Sequence, residues 1–101
     1  MPKDVKFVYG ETCWVLVNGK AVADARIFKY GNLLLVDDLM VYEDHRRMGY
    51  GSLLVQELKK KCKAEGWMFG AYGIIKTERA RKFWAKHKVY DYFNDLEKGA
   101  A

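Results

Sequence analysis

A chain of 101 residues fits a single domain, and half of its side chains are apolar, with 15% aromatic, so a packed core is expected. Lys and Arg number 18 against 13 Asp and Glu, a net charge of +5 that favours an anionic ligand or partner without choosing among nucleic acid, acidic protein and coenzyme phosphates. No run approaches the roughly 20 apolar residues of a membrane span, and Lys3, Asp4 and Lys6 stand where a secretory leader would begin its apolar core, so the expectation is a cytoplasmic protein without a membrane partner.

Residues 5–9 form a short apolar run ending at Gly10, and residues 12–17 are β-branched and aromatic enough for a strand. Asn18-Gly19 then supplies the residues of a tight type I′ hairpin, and residues 20–30 read as the antiparallel partner strand, closed by Gly31-Asn32. Residues 33–41 are the most apolar segment, broken only by Asp37 and Asp38, which suggests a central strand covered on both faces. After a polar loop over 42–50, Leu54, Val55, Leu58 and Cys62 recur at helical spacing while Gln56, Lys59, Lys60 and Lys63 face away, giving a helix over about 51–65 that stops at Gly66.

Residues 67–75 are again strand-like, and one crossover helix makes them a parallel neighbour of the 33–41 strand. Thr77 can cap a second helix running to about residue 88, with Glu78 in its first turn and Ala80, Phe83, Trp84 and His87 inward. Residues 89–94 have the composition of a last short strand. The expected architecture is therefore a mixed-sheet α/β domain spanning 1–101: antiparallel strands, a β-α-β crossover, a second helix and a final strand. Cys13 and Cys62 lack metal or redox spacing and read as buried thiols.

The segment with chemical content is a strand followed by Arg46-Arg47-Met48-Gly49-Tyr50-Gly51-Ser52 and an amphipathic helix. Glycines let backbone approach a ligand closely, and unpaired N–H groups at a helix start bind phosphate oxygens. The dinucleotide fingerprint G-x-G-x-x-G fails because its third glycine would be Leu54, and the G-K-[ST] of a P-loop is absent. What remains is R-x-x-G-x-G after Leu39-x-Val41.

This segment resembles motif A of the GNAT superfamily of N-acetyltransferases: Leu39, Val41, Arg46, Gly49 and Gly51 match its pattern without a gap. The stretch from Ala80 to Lys86 resembles the family's second motif more weakly. The resemblance implies acetyl-CoA as co-substrate. It places the pyrophosphate on the backbone of Arg47, Met48, Gly49, Tyr50, Gly51 and Ser52 with Arg46 at its entrance, the pantetheine arm along Leu39, Met40 and Val41, and Thr77 and Phe83 among the coenzyme-binding residues. It also implies that the parallel strands part near Val41 and Tyr72 to make the slot.

An amine acceptor must lose a proton before it attacks, which calls for a carboxylate or a water chain. Asp37 shares strand parity with Leu39 and Val41 and is the candidate base; the competing role is an ion pair with Arg26. Parity sends Asp38 to the opposite face. The family's tyrosine acid is replaced by Trp84, whose indole cannot protonate a leaving group, so either Tyr90 supplies the acid or the thiolate leaves unaided. The short span before residue 33 leaves no room for the two helices that larger relatives place between their first strands, so an open slot suited to a protein lysine or N-terminal amine is expected. A homodimer could supply the missing wall. The alternatives are a small-amine acetyltransferase, or a nonenzymatic coenzyme-binding or basic interaction module; no nucleic-acid-binding signature accompanies the lysines.

Overall fold

The computed structural model describes residues 3–99; Met1, Pro2, Ala100 and Ala101 lie outside the described residues. Five strands, β1 (Val5–Val8), β2 (Thr12–Val17), β3 (Lys20–Tyr30), β4 (Leu33–Val41) and β5 (Met68–Ala71), form one sheet in the order β1-β2-β3-β4-β5. Pairing is antiparallel as far as β4, and β5 joins β4 in parallel. The β2–β3 hairpin closes through Asn18 and Gly19, whose φ angles of 52° and 81° are the paired positive values of a type I′ turn.

Helix α1 (Tyr50–Glu65) makes the parallel crossover and lays Leu54, Val55, Leu58 and Cys62 on the sheet. Beneath it lie Cys13 and Val15 of β2, Ala23 and Ala25 of β3, and Leu34 and Val36 of β4. The alanines of β3 leave the volume that the leucines fill. Each fully buried leucine contributes on the order of 2 kcal/mol of transfer free energy, which makes this layer the main source of stability. In β4 the successive residues Leu34, Leu35 and Val36 are all buried, as a strand covered on both faces requires. Both cysteines are buried and free.

The second helix, α2, spans Glu78–Lys86, with the Thr77 hydroxyl accepting the Ala80 N–H at 3.0 Å. Beyond it the structure departs from expectation. In place of a strand over 89–94, only Asp91 makes an isolated parallel bridge to Ala71, and helix α3 (Phe93–Gly99) follows at once. The cause is local hydrogen bonding. The Asp91 carboxylate accepts the Phe93 N–H at 2.9 Å, turning the backbone at the point where the strand would continue. Asp95 in the first turn and Lys98 in the last then suit the helix dipole.

Gly70 lets this segment close over β5. A Cβ there would lie 2.5 Å from the Tyr92 ring and 3.2 Å from the Tyr90 carbonyl oxygen. Gly70→Ala is therefore expected to lower unfolding free energy by about 1–3 kcal/mol through overpacking, measured as a lower urea midpoint at unchanged m-value.

Candidate active site

The β4–β5 ladder ends early. Its last paired residues are Val36 and Ala71, followed only by the Tyr72 N–H donating to the Val36 carbonyl at 2.9 Å. From Asp37 to Val41, β4 keeps its bonds to β3 but has none from β5, so one edge of its backbone is left open. Gly73, at φ 72°, carries the chain away. The gap is the floor of a cleft of about 940 Å³, walled by the start of α1 on one side and by the 73–77 segment and α2 on the other.

The motif loop shapes the first wall. Gly49 is the N-cap of α1 at φ 84°, a value that L side chains adopt only at a cost, and no side chain caps the helix. Arg47 also takes a positive φ, 66°. The first intrahelical bond runs from the Leu53 N–H to the Gly49 carbonyl at 2.9 Å, which leaves the N–H groups of the first turn directed along the helix axis toward the cleft. Gly51 has Phe83 and Val41, two other residues that line the cleft, at 3.4 Å from where its Cβ would be, an ordinary van der Waals contact. Arg46 donates from Nε to the Val41 carbonyl at 3.2 Å and so fixes the loop to the end of β4.

The second wall is held to the first by His87. Its Nε2 lies 2.9 Å from Ser52 Oγ in the first turn of α1, and Lys59 of the same helix donates to the His87 carbonyl. His87 is buried against Phe83, and burial, reinforced by Lys59 and Lys86, pushes its pKa below the ordinary value. A histidine whose folded pKa is depressed contributes stability that is complete above the unfolded value of about 6.5 and is lost as pH falls through the folded value. Thermal scans from pH 8 to 5 are expected to show that decline in the parent protein and a flatter profile in His87→Gln.

Asp37 and Asp38 do not follow simple strand alternation. Ile27 pairs with Val36 and Arg26 with Asp38, so β4 carries one extra residue, a bulge at Asp37. Both aspartates consequently line the same cleft. Asp37 accepts a hydrogen bond from Arg26 Nε at 3.0 Å, the ion pair that the sequence offered as the competing role. The expectation that Asp38 points away is corrected by the bulge.

Of the residues singled out from sequence, Asp37, Leu39, Met40, Val41, Arg46, Arg47, Gly49, Tyr50, Gly51, Ser52, Thr77 and Phe83 all line this cleft. Met48 and Tyr90 do not. Met48 is exposed, on the outer side of the loop. Tyr90 is 56% exposed beside Asp95, whose carboxylate raises the pKa of its phenol and so makes it a poorer acid. Trp84 is buried at 3%, edge-on to Phe83, a core aromatic. Sequence reasoning missed the cleft residues Lys76, Arg79 and Lys86. The spacing of Arg79, Phe83 and Lys86, i, i+4 and i+7, was a legible sign that they share a helix face. The lining thus places Arg46, Arg47, Lys76, Arg79 and Lys86 in one cleft with the two aspartates.

The family model described as "Acetyltransferase (GNAT) domain" matches residues 9–88, and the chain belongs to that family. Among solved structures, a possible acetyltransferase from Clostridium difficile 630 superposes with TM-score 0.68 at 17% identity, over 78% of this chain and 57% of the other. The PaiA N-acetyltransferase from Thermoplasma acidophilum, in complex with coenzyme A, gives 0.67 at 14% identity, over 75% and 48%. A ribosomal-protein-alanine N-acetyltransferase from Brucella melitensis biovar Abortus 2308 gives 0.62 at 21%, over 74% and 58%. At these identities the likeness is one of fold, and the chain spans about half the length of each. No curated protein sequence matches the chain.

Proposed function

We propose that this chain transfers an acetyl group from acetyl-CoA to a primary amine, and that the amine is a lysine or N-terminus of a protein. The observation that carries the reading is the convergence, in one cleft, of an open β4 edge with the uncapped, glycine-opened start of α1. The free N–H groups of α1 and the cations Arg46, Arg47, Lys76, Arg79 and Lys86 suit a pyrophosphate, while the β4 edge offers backbone to an extended amide-containing arm.

When bound, the coenzyme supplies a thioester: the amine nitrogen bonds to the acetyl carbon, the C–S bond breaks, and the thiolate departs. Asp37, held by Arg26 where the strands part, is the proposed acceptor of the amine proton. A thiol of pKa about 8.5 leaves readily as thiolate, so the absence of a tyrosine at position 84 is compatible with turnover. The open form of the cleft supports a protein acceptor: β1 and β2 are separated only by residues 9–11, and among the described residues no helix lies between them to wall off a small amine. The Brucella neighbour is named for such an acceptor, a ribosomal-protein alanine.

Calorimetric titration with acetyl-CoA, followed by mass spectrometry of peptides and small amines incubated with the complex, tests the reading. Micromolar binding with acetylated peptide is expected. Binding without transfer to any amine would leave a coenzyme-binding module, and transfer confined to small amines would overturn the protein acceptor.

A further inference from the structure

The parting of β4 and β5 needs a physical cause, because buried or half-buried backbone N–H groups take partners wherever they find them. A regular parallel ladder would continue past the Tyr72 N–H to Val36 C=O bond with the Ile74 N–H on the Asp38 carbonyl, but the bulge at Asp37 sets Asp38 opposite Arg26 and turns its carbonyl toward β3, so β5 has no acceptor in step beyond Val36. That bond is not made. The 73–75 segment beyond it is held by the side chain of Asp91. Its Oδ1 accepts the Gly73 N–H at 3.0 Å and its Oδ2 accepts the Ile75 N–H at 3.3 Å, while Oδ1 also takes the Phe93 N–H at 2.9 Å.

Asp91 is itself anchored. It bridges to Ala71, whose N–H donates to the Tyr90 carbonyl and whose carbonyl accepts the Tyr92 N–H, both at 2.9 Å. One carboxylate therefore joins the outer edge of β5, the loop that walls the cleft and the start of α3. Asp91 does not line the cleft, whereas Gly73 and Ile74, which its bonds position, do. Burial alone would raise its pKa, yet the N–H groups of Gly73, Phe93, Ile75 and Ile74 together bring it below the ordinary value, so the group is ionised at neutral pH.

We propose that Asp91 is the positioning residue that fixes the cleft wall beside the open edge of β4, by holding the backbone N–H groups of Gly73 and Ile75. The inference rests on the reading of that cleft as the coenzyme site. It assigns a function to a residue outside both sequence motifs, and it makes the C-terminal segment part of the coenzyme site.

Two measurements on Asp91→Ala and Asp91→Asn in the full chain test it. The first needs no coenzyme: amide hydrogen exchange followed by NMR. The three amides that donate to the carboxylate, Gly73, Ile75 and Phe93, are expected to lose protection in Asp91→Ala. The second is calorimetry with acetyl-CoA at pH 7, where Asp91→Ala is expected to bind at least about tenfold more weakly. Asp91→Asn keeps one acceptor oxygen and should fall between the two, and it serves if the alanine variant does not fold. Leu58→Ala, a core change remote from the slot, controls for lost stability and should bind like the parent. Unchanged protection at all three amides would overturn the proposal whether or not the parent binds coenzyme. So would parental affinity in both Asp91 variants, or an equal loss in Leu58→Ala. If the parent itself binds no coenzyme, the proposed function fails and the exchange measurement still decides the role of Asp91.

Discussion

Replacing Gly51 by aspartate is expected to abolish coenzyme binding while leaving the protein folded. The site of the Cβ already has the Phe83 ring and a Val41 methyl at 3.4 Å, so the β-carbon fits but the carboxylate beyond it must turn outward, into the cleft. There it meets the position assigned to the pyrophosphate and adds like charge. A loss of about 100-fold or more in affinity, ~2.8 kcal/mol, is expected by calorimetry. Gly49→Asp separates charge from packing. Open space surrounds Gly49, so the added charge meets no clash there; at φ 84° any L side chain carries some backbone strain, which aspartate bears better than most residues. Parental affinity in both variants would remove the coenzyme from the start of α1.

Asp37→Asn is expected to reduce kcat by about 100-fold, the ordinary contribution of a general base, with coenzyme affinity within twofold of the parent. The loss should shrink as pH rises toward the lysine pKa of about 10.4, because free amine then accumulates without help. Stability is expected to change little. The side chain of the Arg26 partner is 63% exposed, and an ion pair of that kind contributes roughly 0–1 kcal/mol. The bulge supplies the rival: Asp38 lines the same cleft and makes no ion pair among the described residues. A pH-dependent fall in kcat from Asp38→Asn with Asp37→Asn unaffected would move the role by one residue. A parallel loss of affinity and rate in Asp37→Asn would make its pair with Arg26 purely structural.

Local order was legible in the sequence wherever neighbouring residues decide the conformation. Asn18-Gly19 specifies its own turn, Thr77 its own cap, and the period of Leu54, Leu58 and Cys62 its own helix, because each depends on backbone preferences and burial within a few residues. The glycine-opened start of α1 was legible for the same reason, since the positive φ at Gly49 is a local backbone property that favours glycine. Tertiary structure alone decided the rest. Strand parity at Asp37 and Asp38 gave way to a bulge, which is a property of two strands and is invisible in one. The strand composition of residues 89–94 gave way to Asp91, whose carboxylate found the N–H groups of a loop 16 to 18 positions earlier. Ser52 and His87 met across 35 residues because the fold brings the C-terminal end of α2 against α1. Thus the sequence by itself determined the elements and the loop that opens α1, whereas the cleft, set by which backbone groups go unpaired between β4 and β5, was decided only when distant hydrogen-bond partners competed in the folded chain.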